Sequence, residues 1–282
     1  MLWGSSIGLG STRITRTPVA HPALASIVVT EWMQLNLCPL GVVGSYNLFV
    51  TSISAPSKLV WLMVIAVAEY VRMTPDKAKE EIGAALSALA ADPSLGYLAV
   101  TAKPEHPIRD RVAWHFHQNY PSLIAAREYW VKSERNSIGG KRVDLALLER
   151  NDAAVRPVVL VEFKAMIVPD PLSNPEHELM VCLADDLQRL ASISSSPRLG
   201  VMLMVCIENI EPLTERGLNG RVVKYMDSFR RWAKEPDALE KAIRVTSNFF
   251  DRATFNVSPL TVDLGSVWGS GIKLTSFILE PR

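Results

Sequence analysis

Two apolar segments near the middle of the chain have the pattern of strands in a buried sheet. They cover residues 142–148 and 157–165, and the charged stretch 149–156 separates them. Branched apolar residues on both sides of a short polar link are typical of a β-hairpin. The second segment is apolar at consecutive positions from Val158 to Val161 and again at Phe163, which predicts a strand that is covered on both faces.

This hairpin would bring three charged side chains together. Side chains two positions apart on a strand share a face, so Glu162 and Lys164 point the same way. With the link centred near residue 153, Asp144 lies opposite Glu162, with Cβ atoms about 5 Å apart. Buried like charges are costly unless they are compensated, and a divalent metal ion does this. We therefore expect a metal site; the alternative is a solvated Glu162–Lys164 pair on an exposed face.

The elements around the hairpin are predicted in a definite order. A helix over residues 107–120 precedes a strand over 124–132, and a leucine-striped helix over 175–192 precedes an apolar strand over 199–207. Connection rules allow three antiparallel strands followed by a right-handed crossover to a parallel strand. The sequence therefore predicts an α/β fold with a mixed central sheet.

The flanking regions carry no recognisable chemistry. The first 103 residues are predicted to be mainly helical, and this region would position a substrate or pair two subunits as a homodimer. Its predicted elements are helices over 24–34, 57–73 and 75–91 and strands over 46–53 and 95–100. In the tail, helices are predicted over 221–234 and 237–244, and strands over 253–264 and 272–279.

Composition narrows the choice of partners and location. The net charge of +1 gives no global basic field, so attraction to a nucleic acid must be local. The most apolar run, residues 59–68, is about half the length needed to cross a bilayer and is expected to be a buried helix. The three scattered cysteines suit free thiols in a reducing cytoplasm, and no secretory signal is recognisable, so we expect a cytoplasmic protein without membrane contact.

Asp144, followed after an apolar run by Glu162-x-Lys164, resembles the D…(D/E)-x-K signature of the PD-(D/E)XK nuclease-like superfamily, with Val143 in place of the proline. The resemblance covers residues 104–207 and implies a restriction-endonuclease-like αβββαβ core. It suggests a nuclease-like domain over 104–282, with a C-terminal extension, after the N-terminal region 1–103. The implied activity is Mg²⁺-dependent hydrolysis of DNA phosphodiesters in repair, restriction or defence, with Mn²⁺ able to substitute and DNA favoured over RNA.

Phosphodiester hydrolysis needs a nucleophilic water and compensation of the charge in the transition state, and Mg²⁺ held by oxygen ligands supplies both. In this interpretation Asp144 and Glu162 hold the metal, and the backbone carbonyl of Phe163 completes its coordination, as the resemblance implies. Lys164 would orient the water or neutralise the phosphate. Burial beside a metal would lower the pKa of Lys164 and help it accept a proton.

The resemblance also suggests further acidic and polar residues. Glu128 on the predicted first strand would lie across from Asp144, the alternative being an ion pair with Arg127 or Arg142. Glu105 begins the first helix, where the helix dipole alone could explain an acid. Gln188 on the second helix would support the lysine or contact substrate.

His115 and His117 are two apart on a helix and cannot share a face, so a metal pair is rejected there.

Local basic clusters provide candidate phosphate contacts, because lysine and arginine give salt-sensitive affinity that is independent of base sequence. The alternative for each cluster is a solvated helix face. The candidates for nucleic-acid binding are Arg135, Lys141, Arg142, Lys224, Arg230 and Arg231.

Two other functions stay open at this level. The chain could be a non-catalytic member of the superfamily, a scaffold or nucleic-acid-binding module that keeps the motif without the chemistry. It could also be a toxin or effector nuclease. Calorimetric titration with Mn²⁺ separates the first of these from an enzyme, because a scaffold need not bind metal.

Overall fold

The computed structural model describes residues 29–34, 47–52, 65–67, 73–133, 140–151, 154–232, 234–235 and 237–282. It divides into two compact units, Met1–Arg72 and Met73–Arg282. The boundary falls after Arg72, whereas the sequence suggested a division after residue 103. The helices that follow Met73 therefore belong to the same unit as the predicted hairpin.

The described residues of the first unit form a three-stranded antiparallel sheet, with strands β1 (Val29–Gln34), β2 (Asn47–Ser52) and β3 (Ile65–Val67) in the order β1-β2-β3. The strand predicted over 46–53 is confirmed at 47–52. The helix predicted over 24–34 is wrong at β1, and the helices predicted over 57–73 and 59–68 are wrong at β3. These strands carry β-branched and aromatic residues that favour extended backbone. The other residues of those predictions lie outside the described part of the chain.

The second unit contains a six-stranded sheet. Its strands are β4 (Leu123–Lys132), β5 (Gly140–Asn151), β6 (Ala154–Ile167), β7 (Arg198–Ile207), β8 (Phe255–Val267) and β9 (Ser270–Pro281). They lie in the order β4-β5-β6-β7-β9-β8. The β6–β7 pair is parallel and the other neighbours are antiparallel. The predicted α/β class with a mixed sheet is therefore confirmed.

Helices surround this sheet. They are α1 (Pro75–Ser87), α2 (Pro93–Thr101), α3 (Glu105–Asn119), α4 (Pro169–Ser173), α5 (Glu178–Ile193), α6 (Glu211–Glu215), α7 (Met226–Trp232) and α8 (Ala238–Arg252). A 3₁₀ turn over Ala88–Ala91 follows α1. The predicted start of α1 is confirmed, since the Thr74 hydroxyl accepts a hydrogen bond of 3.2 Å from the Lys77 N–H and Pro75 opens the helix.

Some predicted elements differ in kind or extent. The strand predicted over 95–100 is wrong because these residues lie in α2, where Asp92 caps the helix by accepting from the Ser94 N–H at 3.0 Å. The helix predicted over 221–234 is shortened to α7, because turns organised by Asn219 occupy its first residues. Conversely, the predicted helix over 237–244 extends to Arg252.

Strand β6 is covered on both faces, as its sequence predicted. Val159, Val161 and Phe163 belong to a core that also contains residues of α1, α2 and α3. Leu160 packs with Leu190 of α5, and Met166 packs in a separate cluster with other α5 residues. The even-numbered residues of β6 therefore face α5, which is the side that Glu162 and Lys164 share.

In the described part of the chain, no single helix combines the length and apolar composition needed to cross a membrane. Residues 75–91 and 94–101 meet that test when taken together, but the two helical segments are bent by 97° relative to each other.

Candidate functional site

The hairpin of β5 and β6 has the register that the sequence predicted. Leu145 pairs with Val161 and Ala146 with Leu160. Continuing this antiparallel pairing by one residue places Asp144 across from Glu162. A register shift between Leu147 and Leu148 lies toward the turn of the hairpin and does not alter this relationship. The hairpin thus brings the two acids of the motif to adjacent strands.

The side chain of Asp144 bridges the two strands. Its Oδ2 accepts a hydrogen bond of 2.8 Å from the backbone N–H of Phe163. The backbone N–H groups of Leu160 and Val168 donate to the carbonyls of Pro197 and Val205, so the backbone N–H groups of even-numbered β6 residues point toward β7 within the sheet. A residue's N–H and C=O point to the same side of a strand, and the Phe163 carbonyl therefore faces the side of Asp144.

Glu162 is a buried carboxylate, with 3% of its surface exposed. The Lys141 Nζ lies 2.7 Å from its Oε1. Burial raises the pKa of Glu162 to about 7; Lys141 opposes this increase, and the charges of Asp144 and Asp186 add to it. Glu162 therefore titrates near neutral pH in the metal-free protein.

Lys164 is held by a carboxylate on α5. Its Nζ lies 3.3 Å from Asp186 Oδ2, and 26% of the side chain is exposed. Burial lowers the pKa of Lys164, but the charges of Asp186, Glu105 and Asp144 outweigh burial and raise it. The sequence predicted a lowered pKa for this amine beside a bound metal; in the metal-free protein the surrounding carboxylates have the opposite effect.

Glu105 is the first residue of α3 and lies within electrostatic reach of the site. Burial raises its pKa; the charge of Asp144 raises it further, and Lys164 lowers it. The charges of Asp144 and Lys164 therefore act on the Glu105 carboxyl. Its position at a helix N-terminus is also favourable for a carboxylate.

Glu128 lies at an irregular point of β4, with a positive φ of 53°. Its neighbours pair as Arg127 with Leu145 and Tyr129 with Val143, so it falls across from Asp144 as predicted. Its carboxylate contacts Arg109 and lies 2.8 Å from Arg142 Nε. The ion pair with Arg142 that the sequence offered as the alternative is therefore present, and it occupies an oxygen of Glu128.

Arg109 of α3 is a site residue that the sequence reasoning missed. It is 7% exposed, contacts Glu128, and its Nη1 lies 4.0 Å from Asp144 Oδ1. Arg109 stands four residues after Glu105, a spacing that places two side chains on the same face of a helix. The four-residue spacing between Glu105 and Arg109 could have indicated from the sequence that Arg109 lies near the site.

Asp186, rather than Gln188, is the α5 residue at the site. Its carboxylate lies 2.8 Å from Lys141 Nζ, 3.3 Å from Lys164 Nζ and 3.4 Å from Arg189 Nη2. Gln188 is exposed on the same helix. The two side chains are two positions apart and therefore lie on different faces of a helix. The sequence alone did not show which of these two faces is turned toward the sheet.

The basic candidates have different surroundings. Arg135 lies outside the described residues. Lys141 is turned inward, with 17% of its side chain exposed, whereas Arg142 is 67% exposed while paired with Glu128. The tail candidates lie near or on α7: Lys224 stands 5.1 Å from the ring centroid of Tyr225, and Arg230 and Arg231 are exposed.

The two histidines of α3 make separate contacts. His115 Nε2 lies 2.7 Å from Glu81 Oε2, and the His117 ring lies 5.2 Å from that of Trp114. Across the described residues, no three His, Cys, Asp or Glu side chains form a ready ion site. A metal here would instead use two carboxylates and a backbone carbonyl.

Comparison with known proteins gives no relative: no protein-family model, curated protein or solved structure matches the chain.

Proposed function

We propose that the protein is a metal-dependent nuclease that hydrolyses DNA phosphodiester bonds, built on a restriction-endonuclease-like arrangement of α3, β4, β5, β6, α5 and β7. The observation that carries the proposal is the hydrogen bond from the Phe163 N–H to Asp144. It brings the first acid of the motif to the strand that carries Glu162 and Lys164.

The chemistry of the donors fits Mg²⁺ or Mn²⁺. Glu162 Oε1 is a buried atom without a hydrogen-bond partner among the described residues, although an ammonium lies beside it. Carboxylate and carbonyl oxygens are the ligands that Mg²⁺ prefers. Asp144, Glu162 and the carbonyl of Phe163 would hold the ion. When bound, the ion would polarise the phosphate and lower the pKa of a water molecule.

Lys164 would act as a charged group rather than as a base. In the metal-free protein the carboxylates around it raise its pKa, which favours the protonated ammonium. A protonated lysine can bind a phosphate oxygen or orient the attacking water through its N–H groups. Asp186 would position this ammonium, and Glu105 would add negative charge beside Asp144.

Nicking of supercoiled plasmid DNA in Mg²⁺ tests the proposal. We expect Glu162→Gln and Lys164→Met each to reduce the rate at least about 100-fold, the scale of losing one transition-state contact. Glu149→Gln and Lys273→Met are matched controls: Glu149 is a buried glutamate at the far end of the hairpin, and Lys273 is ion-paired with Glu208. Equal nicking by all five proteins would remove the assignment.

A non-catalytic scaffold is the second candidate, and one observation favours it. Lys141 places an ammonium 2.7 Å from Glu162 and 2.8 Å from Asp186, so part of the acidic charge is compensated from within the chain. Calorimetric titration with Mn²⁺ separates the two. A nuclease binds the ion and loses this binding in Glu162→Gln, whereas a scaffold gives no heat of binding in either protein.

A further inference from the structure

An exposed tryptophan lies on the face of the sheet that α3 covers. Trp130 of β4 is 57% exposed, more than any other large apolar side chain that the structure describes. Its neighbours on the strand, Tyr129 and Val131, pack in the cluster that contains Leu190 of α5. Because successive side chains of a strand alternate between faces, Trp130 points to the opposite face, which is the side of α3.

The indole of Trp130 rests against Gly140 of β5. A Cβ built on this glycine would lie 2.7 Å from Trp130 Nε1 and 2.8 Å from Trp130 Cε2. An aromatic ring that packs over a strand glycine stabilises the sheet, and this contact also fixes where the ring lies. It does not account for the part of the indole that stays in water, because apolar surface that is not buried adds nothing to the stability of the fold.

Trp130 stands close to the proposed site. It pairs with Arg142 on β5, and Asp144 follows two residues later on the same strand, which is about 7 Å further along. Stacked DNA rises about 3.4 Å per nucleotide of one strand. A base within a few nucleotides of a phosphate held at Asp144 is therefore within reach of the indole.

Exposed cations surround the indole. The side chain of Arg142 is 67% exposed, with its Nε 2.8 Å from Glu128, and that of Arg127 is 54% exposed, with its Nη1 2.9 Å from Asp110 of α3. A guanidinium carries five N–H groups, so both arginines can donate to a phosphate as well. Lys132 is exposed two residues after the tryptophan, on the same face. Proteins bind single-stranded nucleic acid with this combination, in which bases stack on a ring and phosphates meet the charges.

Strand β4 is at the edge of the sheet, where a second copy of the chain is the alternative occupant. The positive φ of 53° at Glu128 interrupts the strand, and Arg127 and Lys132 place positive charge along it. Irregular backbone and charged side chains at an edge oppose pairing with another chain. The same charges attract a phosphate backbone, so the surface fits a nucleic acid better than a second copy.

We propose that Trp130 is a stacking platform for an unpaired base, and that the nuclease acts on single-stranded DNA. Bases in a duplex are already stacked on both faces, so a side chain can stack on a base only where the strand is unpaired or the base is flipped out. Arg127 and Arg142 would hold the flanking phosphates. The inference rests on the proposed function, because it names the form of DNA that the site accepts.

Binding of labelled oligonucleotides in EDTA tests the platform without metal. By fluorescence anisotropy, a short dT strand should bind the unmodified protein about tenfold or more tightly than a blunt duplex of equal length. Trp130→Ala should lose about tenfold in affinity for the dT strand, the scale of one stacked base, and Trp130→Phe should keep most of that affinity. Trp114→Ala is the matched control, because Trp114 is a 55% exposed tryptophan in the second half of α3, and it should bind like the unmodified protein.

An abasic strand separates stacking from charge. It keeps the phosphates but offers no base, so it should bind the unmodified protein and Trp130→Ala equally. Arg142→Gln should weaken binding of both the dT strand and the abasic strand, and should reduce the slope of log affinity against log salt by about 0.7. Equal affinity of the unmodified protein and Trp130→Ala for the dT strand would overturn the inference. So would a dimer in sedimentation that dissociates in Trp130→Ala, since a second copy would then cover the indole.

Cleavage assays in Mg²⁺ separate this inference from the proposed function. We expect single-stranded DNA to be cut about tenfold or more faster than a blunt linear duplex, and negative supercoiling helps a plasmid to open at the site of nicking. If plasmid is nicked but dT binding does not depend on Trp130, the inference is wrong and the proposed function stands. If dT binding depends on Trp130 while neither single-stranded nor duplex DNA is cut, the platform stands and the nuclease assignment is wrong.

Discussion

Asp144 accepts a hydrogen bond of 2.8 Å from the backbone N–H of Phe163 on the neighbouring strand. The Asp144 carboxylate therefore has a structural role and a chemical role that can be tested separately. It satisfies a backbone donor in the buried hairpin, and it presents the second oxygen to the space shared with Arg109, whose Nη1 lies 4.0 Å away. Replacing the residue in two different ways therefore separates structure from chemistry.

Asp144→Asn should keep the fold, because its amide oxygen can still accept from Phe163. We expect plasmid nicking to fall at least about 100-fold. Asp144→Ala should fail in nicking and also lower the free energy of unfolding by about 1–3 kcal/mol, since a buried N–H loses its partner. Urea denaturation measures the difference.

Asp263→Ala is the control for this pair of variants. Asp263 accepts from the Gly265 N–H at 2.7 Å, but at an exposed position. Its loss should change the free energy of unfolding by less than about 1 kcal/mol because water can replace the carboxylate. Equal stability of Asp144→Asn and Asp144→Ala would contradict the structural task assigned to the carboxylate.

The pH dependence of stability should report the burial of Glu162. The folded protein raises the pKa of this carboxyl from 4.5 to about 7, so between these values the folded state binds more protons than the unfolded state. The free energy of unfolding of the metal-free protein should therefore fall as pH rises through this window. At pH 8 the contribution of Glu162 is lower than at pH 5 by about 3 kcal/mol.

Glu162→Gln removes this titration, so the comparison between the two proteins isolates it. Urea denaturation at several pH values in EDTA should show the unmodified protein losing stability relative to Glu162→Gln between pH 5 and pH 8. A stability difference that stays constant over that range would show that the pKa of Glu162 is near its ordinary value of 4.5. Other groups that titrate in both proteins cancel in the difference.

The register of the hairpin could be predicted from the sequence because its physical cause is local. The short charged link between the two apolar segments fixes the midpoint of the hairpin and therefore the pairing of β5 with β6. This is sufficient to place Asp144 across from Glu162 and to put Lys164 on the same face as Glu162. The start of α1 at Thr74 and Pro75 is local in the same sense.

The remainder of the site depends on how distant elements pack. Asp186 and Gln188 are both polar residues beside a leucine stripe, and only the rotation of α5 against the sheet brings Asp186 to Lys164. Lys141 belongs to a basic stretch in the sequence, yet its stem crosses to α5 and its charge is turned inward. Arg109 approaches Asp144 because α3 packs over the hairpin.

Gly140 should be intolerant of a side chain. A Cβ built on it would lie 2.7 Å from the Trp130 Nε1 and 2.7 Å from the Val131 carbonyl oxygen. Gly140→Ala must therefore displace the indole or the strand, and we expect a loss of about 1–3 kcal/mol in the free energy of unfolding. Gly220→Ala, where no atom lies within 4 Å, should change stability by about 0.5 kcal/mol or less. Equal effects would show that the Trp130 contact is not formed in solution.

Asp186 should act on DNA cleavage through Lys164. Its carboxylate lies 3.3 Å from the Lys164 ammonium, so Asp186→Asn releases that ammonium without removing it. We expect Asp186→Asn to reduce plasmid nicking about 10-fold to 100-fold, and Lys164→Met to reduce it further. Because the two residues act as a unit, the double variant should be no slower than Lys164→Met alone. If each substitution reduced the rate by its own independent factor, the double variant would be slower than Lys164→Met, and Asp186 would act by another route, such as direct binding of the ion. A loss of bound Mn²⁺ in a titration of Asp186→Asn would then identify that route.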